Sequence, residues 1–294
     1  MKRFYLLLMA MTMFLASYAQ EIRVNNAKDL FQSIDDNRTI IIENGSVLNL
    51  TEAILQLHEE DPLTYPRFKY VSPGELFGKI VRTSTGSQES DDDMDTPQKG
   101  IYIQDEENGG PRVCIAGITN LTIKGEGPVV PVLFADSQVE YSLVFDGCSN
   151  IALDHLVLGG LYLKHGKKVN ISKCDLRGGS LGCFRIFNLD FVDCQIYDSP
   201  NYIIHSFHCD KFNFDHCAFY NCSNKKDEDF ELIRLLDTRT VCFNNCLFFQ
   251  NQGNLFRIID LIKLKKCFVS HPIESRGDID RIKDQRSVWF DERR

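Results

Sequence analysis

An all-β solenoid, a right-handed parallel β-helix with a short capping helix at its N-terminal end, is the fold this 294-residue sequence predicts. Three observations carry the prediction. The segments VNISKCDL (169–176), LDFVDCQI (189–196), FNFDHCAF (212–219), VCFNNCLF (241–248) and IKLKKCFV (262–269) share one frame: apolar, any, apolar, any, any, Cys, any, apolar. Between the copies lies a second set of strand-like blocks, GCFRIF (182–187), YIIHSF (202–207), LIRLLD (232–237) and LFRIID (255–260). The copies follow one another at short, unequal intervals, each with room for only a few short strands. A unit that short cannot bury its own apolar side and must stack on its neighbours.

Taken in chain order, the sequence opens with a basic pair, Lys2 and Arg3, an apolar run from Phe4 to Ala16, and the small residues Ser17 and Ala19. This is the pattern of a secretory signal over residues 1–19. The run falls short of the roughly 20 residues a bilayer span needs, so the expected product is a secreted protein with no membrane span. One domain is expected over residues 20–294. Ala27, Leu30, Phe31 and Ile34 recur at helical spacing, which places an amphipathic cap at residues 25–36 over the first coil. Residues 39–50 read as the first strands. An irregular insertion is expected over about 58–111, regular coils over about 112–270, and a C-terminal cap over 271–294 in which Trp289 plugs the end.

Successive strand residues point to opposite faces, so Val241, Phe243, Cys246 and Phe248 are expected to point inward while Asn244 and Asn245 turn the chain. The frame puts Cys174, Cys194, Cys217, Cys246 and Cys267 in one buried column, with Leu156 in the same place one coil earlier. Buried thiols act as small hydrophobes, and the spacings match no zinc site. Cys242, Cys209 and Cys222 are the expected exposed or bridging thiols among the 11 cysteines.

Without Lys2 and Arg3 the chain carries 31 basic against 41 acidic residues, a net of −10, which argues against a general attraction to nucleic acid. No cofactor is expected. The acidic run Glu89–Asp95 offers oxygen ligands of the kind calcium takes, but it lacks the spacing and fixed glycine of a dedicated loop. One cationic feature stands out. If Phe184, Ile186, Ile233, Leu235, Phe256 and Ile258 point inward, then Arg185, Arg234 and Arg257 point outward in register with His205. Tyr162 and Lys164 take comparable positions one coil earlier, and Phe187, Phe207, Leu236 and Ile259 form an apolar column beside them. Stacked like charges repel, so such a column needs an acidic partner within the protein or an anionic ligand.

The cap, the ITNLTIKGEG entry, the CSNIALDHLVLGG step and the serial Cys rungs resemble the pectate-lyase-like superfamily of right-handed β-helix proteins, in particular exported bacterial members of unassigned activity. The likeness covers residues 37–50 and 112–270. It implies a carbohydrate groove along the outer face of the second strand block, where arginines would bind uronate carboxylates by paired hydrogen bonds. The Asn-Thr-Asp, Asp-Asp and Gly-His-Gly steps of polygalacturonases and the Arg-x-Pro-x-x-Arg segment of pectate lyases are missing here, and Arg281-Ile282-Lys283 lies beyond the expected repeats. The expectation is therefore binding of an anionic polysaccharide or glycan by Arg185, His205, Arg234, Arg257, Tyr162 and Lys164. The alternatives are a polysaccharide lyase acting by β-elimination, or a structural module whose cationic column is covered.

Overall fold

The computed structural model describes residues 20–69, 99–106, 110–135, 141–200, 202–223, 231–258, 262–270 and 282–290. The expected signal 1–19, the acidic run Glu89–Asp95, Ile259 and Arg281 lie outside the described residues. The chain forms a parallel β-helix with three sheets along its length. Among the described residues sheet A has ten strands, from Gln20–Val24 to Ile282–Gln285; sheet B has nine, from Val47–Asn49 to Val288–Phe290; sheet C has nine, from Arg67–Lys69 to Asn254–Ile258. Among the described residues every strand pairing is parallel except one, Gly100–Glu106 against Gly110–Ala116 in sheet C.

Each regular coil runs from a sheet C strand through sheet A to sheet B. Single residues in the left-handed region turn the chain at the corners. His165, Arg185, His208 and Asp237 leave sheet C at φ of 50 to 53°. Lys173, Asp193, His216, Asn245 and Lys266 leave sheet A at 50 to 53°. A left-handed L-residue costs on the order of 1–2 kcal/mol, least for Asn and Asp, so these turns persist only because the stacked strands on either side impose them. Asn245 is thus the corner residue expected from the frame. The path from the sheet C strand to the Cys position keeps one length over four coils, the intervals from Leu161 to Cys174, Leu181 to Cys194, Ile204 to Cys217 and Ile233 to Cys246 being equal, and is two residues shorter on the next, from Phe256 to Cys267. Coil length varies more between sheets B and C, where the return path lengthens from Leu156–Leu161 through Cys174–Leu181 and Cys194–Ile204 to Cys217–Ile233 and shortens again at Cys246–Phe256.

The interior is filled by columns of like residues. Phe214 and Phe243 stack at 4.8 Å between ring centroids, as do Phe219 and Phe248, and both pairs are fully buried. The cysteine column is buried throughout, with Leu156 in line. Its thiols do more than fill space. The Cys217 Sγ lies 3.2 Å from the Phe191 carbonyl oxygen and the Cys267 Sγ 3.3 Å from that of Phe243, in each case one coil back. A weak S–H donor can meet those carbonyls, which a leucine cannot. Cys209 and Cys222, expected near the surface, are also buried, because each follows a left-handed corner residue that swings it inward. Burial pushes the thiol of each up to about 11. Cys242 is the one thiol with intermediate exposure, and all 11 are free.

The N-terminal cap forms as helix α1, Ala27–Ser33, with the Asn26 Oδ1 accepting from the Asp29 N–H at 2.9 Å and Ala27, Leu30 and Phe31 buried. A second helix, α2 (Leu50–Glu60), replaces the end of the expected first strands. Leu50, Ala53, Ile54 and Leu57 make its buried stripe, and Asn49 caps it by accepting from the Glu52 N–H at 3.2 Å. The expected irregular insertion therefore includes the end of α2 and the strands Arg67–Lys69 and Gly100–Glu106. The ladder also runs beyond residue 270: Ile282–Gln285 and Val288–Phe290 add another partial coil. Trp289 lies in that coil, packs against the core and donates its Nε1–H to the Asp284 Oδ2 at 2.9 Å.

Candidate functional site on the outer face of sheet C

Strand register decides which of the expected site residues are neighbours. One outer column of sheet C runs Cys114, Val144, Tyr162, Gly182, His205, Arg234, Arg257. The next runs Ala116, Asp146, Lys164, Phe184, Phe207, Leu236. The structure thus brings Tyr162, His205 and Arg234 into one line with Lys164 beside it; for Arg257 only the backbone position is described.

Arg185 is not in that line. Gly182 takes the expected place, Phe184 points outward, and Arg185 is the left-handed corner residue after the strand. The expected phase failed by one residue because Ile186 is buried by the corner rather than by strand alternation, so Phe184-Arg185-Ile186 imitates an in-out-in pattern. Arg185 instead packs its guanidinium over the Phe184 ring at 5.3 Å. The apolar outer column is likewise Phe184, Phe207 and Leu236, with the Phe184 and Phe207 rings parallel at 5.9 Å, whereas Phe187 lies past the corner and is 60% exposed.

Aromatic rings occupy much of the face. Tyr141 and Tyr162 stack at 4.9 Å, and Tyr202 stacks on His205 at 5.2 Å. Gly182 lies under the tyrosine pair: a Cβ there would come within 2.5 Å of the Tyr162 Cδ2 and 2.8 Å of the Tyr141 Cε1. The glycine is required by close approach, and the rings lean over its bare backbone. Neither Tyr141 nor Gly182 was singled out from the sequence. The register, read correctly, would have flagged the glycine.

Two electrostatic arrangements sit on this face. The first is a buried cluster in which the Asp146 carboxylate, its side chain 7% exposed, accepts from the Lys164 Nζ and the His165 Nδ1, both at 2.7 Å. Burial alone would raise the Asp146 pKa, but the His165 hydrogen bond and the charge and hydrogen bond of Lys164 outweigh it, and the carboxyl is held below its ordinary value. Lys164 is therefore tied into the protein. The second is His205 beside Arg234. Burial first, and the guanidinium charge second, push the imidazole down to about 4. At neutral pH the face presents a neutral imidazole next to a permanent cation.

Toward the N-terminal end the outer face is closed, with Tyr102, Cys114, Ala116 and Val144 buried together and Tyr162 packed at the margin. Among the described residues no group of three or more His, Cys, Asp or Glu side chains is arranged to hold a metal ion. No helix there is long and apolar enough to cross a membrane.

No family model matches the chain, and no curated protein matches it. Among solved structures the chain is similar to a crystal structure of a "putative glycosyl hydrolase" from Parabacteroides merdae, with 13% identity, 77% of this chain and 96% of that chain covered, and a TM-score of 0.36. A likeness this loose carries no weight for the chemistry of either protein.

Proposed function

We propose that the protein is an exported module that binds an anionic polysaccharide or glycan along the outer face of sheet C. The observation that supports this reading is the line Tyr162, Gly182, His205, Arg234, in which a fixed guanidinium and a neutral imidazole follow a pair of stacked tyrosines on a rigid sheet. A guanidinium suits a carboxylate or sulfate by paired hydrogen bonds. Rings at the sheet surface suit the apolar faces of sugars, and the stacked strands hold both in place before the ligand arrives. Lys164 belongs to the wall of the site through Asp146, and Arg185 marks its edge at the corner.

Polysaccharide lyase activity is the second reading, favoured by the state of His205. In β-elimination a cation neutralises the uronate carboxylate while a base takes the neighbouring proton. Arg234 and the neutral His205 are adjacent and suited to those two parts.

Purified protein is to be titrated against pectate, alginate, chondroitin and heparin-type glycans, following heat of binding and unsaturated products together. Arg234→Ala is expected to weaken binding about ten-fold or more, the loss of one charge-assisted contact. Failure of every anionic glycan to bind the unmodified protein overturns the reading. Release of unsaturated ends, abolished in His205→Ala, establishes the lyase.

A pH effect follows. An anion bound beside His205 raises its pKa, so the complex holds a proton that the free protein lacks. Affinity is expected to rise as pH falls from 7 toward 5, and the rise is expected to vanish in His205→Gln. In the absence of ligand the sign is the opposite for stability: the unfolded His205, with its pKa near 6.5, takes up a proton that the folded one refuses, so stability falls as pH drops from about 6.5 toward 4.

A further inference from the structure

A second surface, at the far end of the solenoid, combines two features that strand register places side by side. On the last two coils of sheet A, Lys263 and Lys265 point outward, and Lys283 takes the backbone position beside Lys263. Lys266 and Arg286 are the left-handed corner residues, at φ of 53 and 63°, and lie one above the other. Lys263, Lys265, Lys266 and Arg286 are all exposed, and none forms an ion pair with another described residue. Among the described residues, a shallow depression is lined by Lys265, Lys266, Gln285 and Arg286. In a chain whose formal net charge is −8, this concentration of cations is local.

Just past that corner the character changes. Leu247, Phe268 and Val288 occupy one outward column of sheet B on three successive coils. They are 45%, 39% and 59% exposed. The three coils just before them carry Asp175, Gln195 and Ala218 at this position, which separates these side chains from Val157, Val132 and Val47 at the other end of the same column. Single exposed apolar side chains need no explanation, but three in a row, bordered by those four cations, form an amphipathic edge.

We propose that this edge is a docking surface for an anionic lipid bilayer. Cations near an anionic membrane surface are attracted to the headgroups, and apolar side chains beside them enter the boundary with the acyl chains. The order of residues fits that geometry on both coils: Lys265, Lys266, then Phe268; Gln285, Arg286, then Val288. A soluble polyanion would use the cations and leave the apolar column idle. The column is what selects the membrane. Docking by this end leaves the outer face of sheet C clear, so the surface is independent of the glycan reading.

The test uses the chain from Gln20, where the first strand of sheet A begins, so that the apolar run 4–16 cannot drive partition. Co-sedimentation is measured with vesicles of phosphatidylglycerol mixed into phosphatidylcholine, and with phosphatidylcholine alone. Binding is expected only with the anionic vesicles and is expected to weaken with salt. Each cation near such a surface is worth about 1 kcal/mol, or about five-fold in partition, so Lys265→Gln with Lys266→Gln is expected to lower it about twenty-five-fold. Phe268→Ser with Val288→Ser is expected to lower it as well, while circular dichroism and the thermal midpoint confirm the fold in each variant. The proposal is overturned by equal sedimentation with neutral vesicles, by no sedimentation with either, or by apolar variants that bind as well as the parent. The last result, with complete displacement by a heparin-type glycan, would mark a polyanion site instead.

Discussion

Asp146→Ala is expected to destabilise the fold by about 3–5 kcal/mol, the usual cost of removing one partner from a buried ion pair. The reason is geometric. The Lys164 Nζ and the His165 Nδ1 both converge on this carboxylate at 2.7 Å, and the Lys164 side chain is only 13% exposed. Removing the carboxylate takes from this ammonium group its partner at 2.7 Å under the outer face of sheet C. Urea denaturation followed by circular dichroism measures the loss, and the double variant Asp146→Leu, Lys164→Met is expected to recover most of it. A loss below about 1 kcal/mol would mean that water reaches the pair as it does on a surface. The pH dependence has a definite sign: the folded carboxyl titrates below its unfolded value of 3.8, so its contribution is full above that pH and is lost as pH falls through the lower folded value. The acid limb of stability is expected to be shallower in Asp146→Asn.

Phe243→Ala is expected to cost a similar amount, about 3–5 kcal/mol, through an aromatic cavity the neighbours cannot close. Phe243 is fully buried, stacks on Phe214 at 4.8 Å and meets the edges of Phe219 and Phe248 at 5.8 and 5.3 Å. Strand hydrogen bonds on both sides hold the coils at fixed spacing, so the walls cannot collapse into the space. Phe243→Leu is expected to lose less than half as much. Equal losses in the two variants would show that packing volume does not set the stability of these coils.

The architecture was legible in the sequence because the interior repeats. The Cys column, its Leu156 predecessor and the left-handed Asn245 follow from one short frame, since each coil must present the same inward positions to its neighbours. The site was less legible. Corner residues break strand alternation, and at Phe184-Arg185-Ile186 the break imitates continuity, so Arg185 was placed in a column that belongs to Gly182. Helix α2 carried a readable signal, the Asn49 cap with Leu50, Ala53, Ile54 and Leu57, but its first leucine also completes the alternation of the preceding strand residues. Cys209 and Cys222 show the same limit. Proximity to a loop in sequence says little when a single left-handed residue returns the next side chain to the core.

The path from sheet C to the cysteine position, equal on four successive coils, set against a return from sheet B that differs at each of them, has a consequence for how this molecule can change. An insertion anywhere on the constant path would shift register and unseat whole columns of interior side chains. On the return path it costs little more than loop closure, which grows slowly with length. Evolutionary drift in length is thereby channelled to one flank, the one that leads into the sheet carrying Tyr162, His205 and Arg234. Descendants of this chain can remodel the rim around that face, and with it what the face admits, while inheriting the scaffold unaltered.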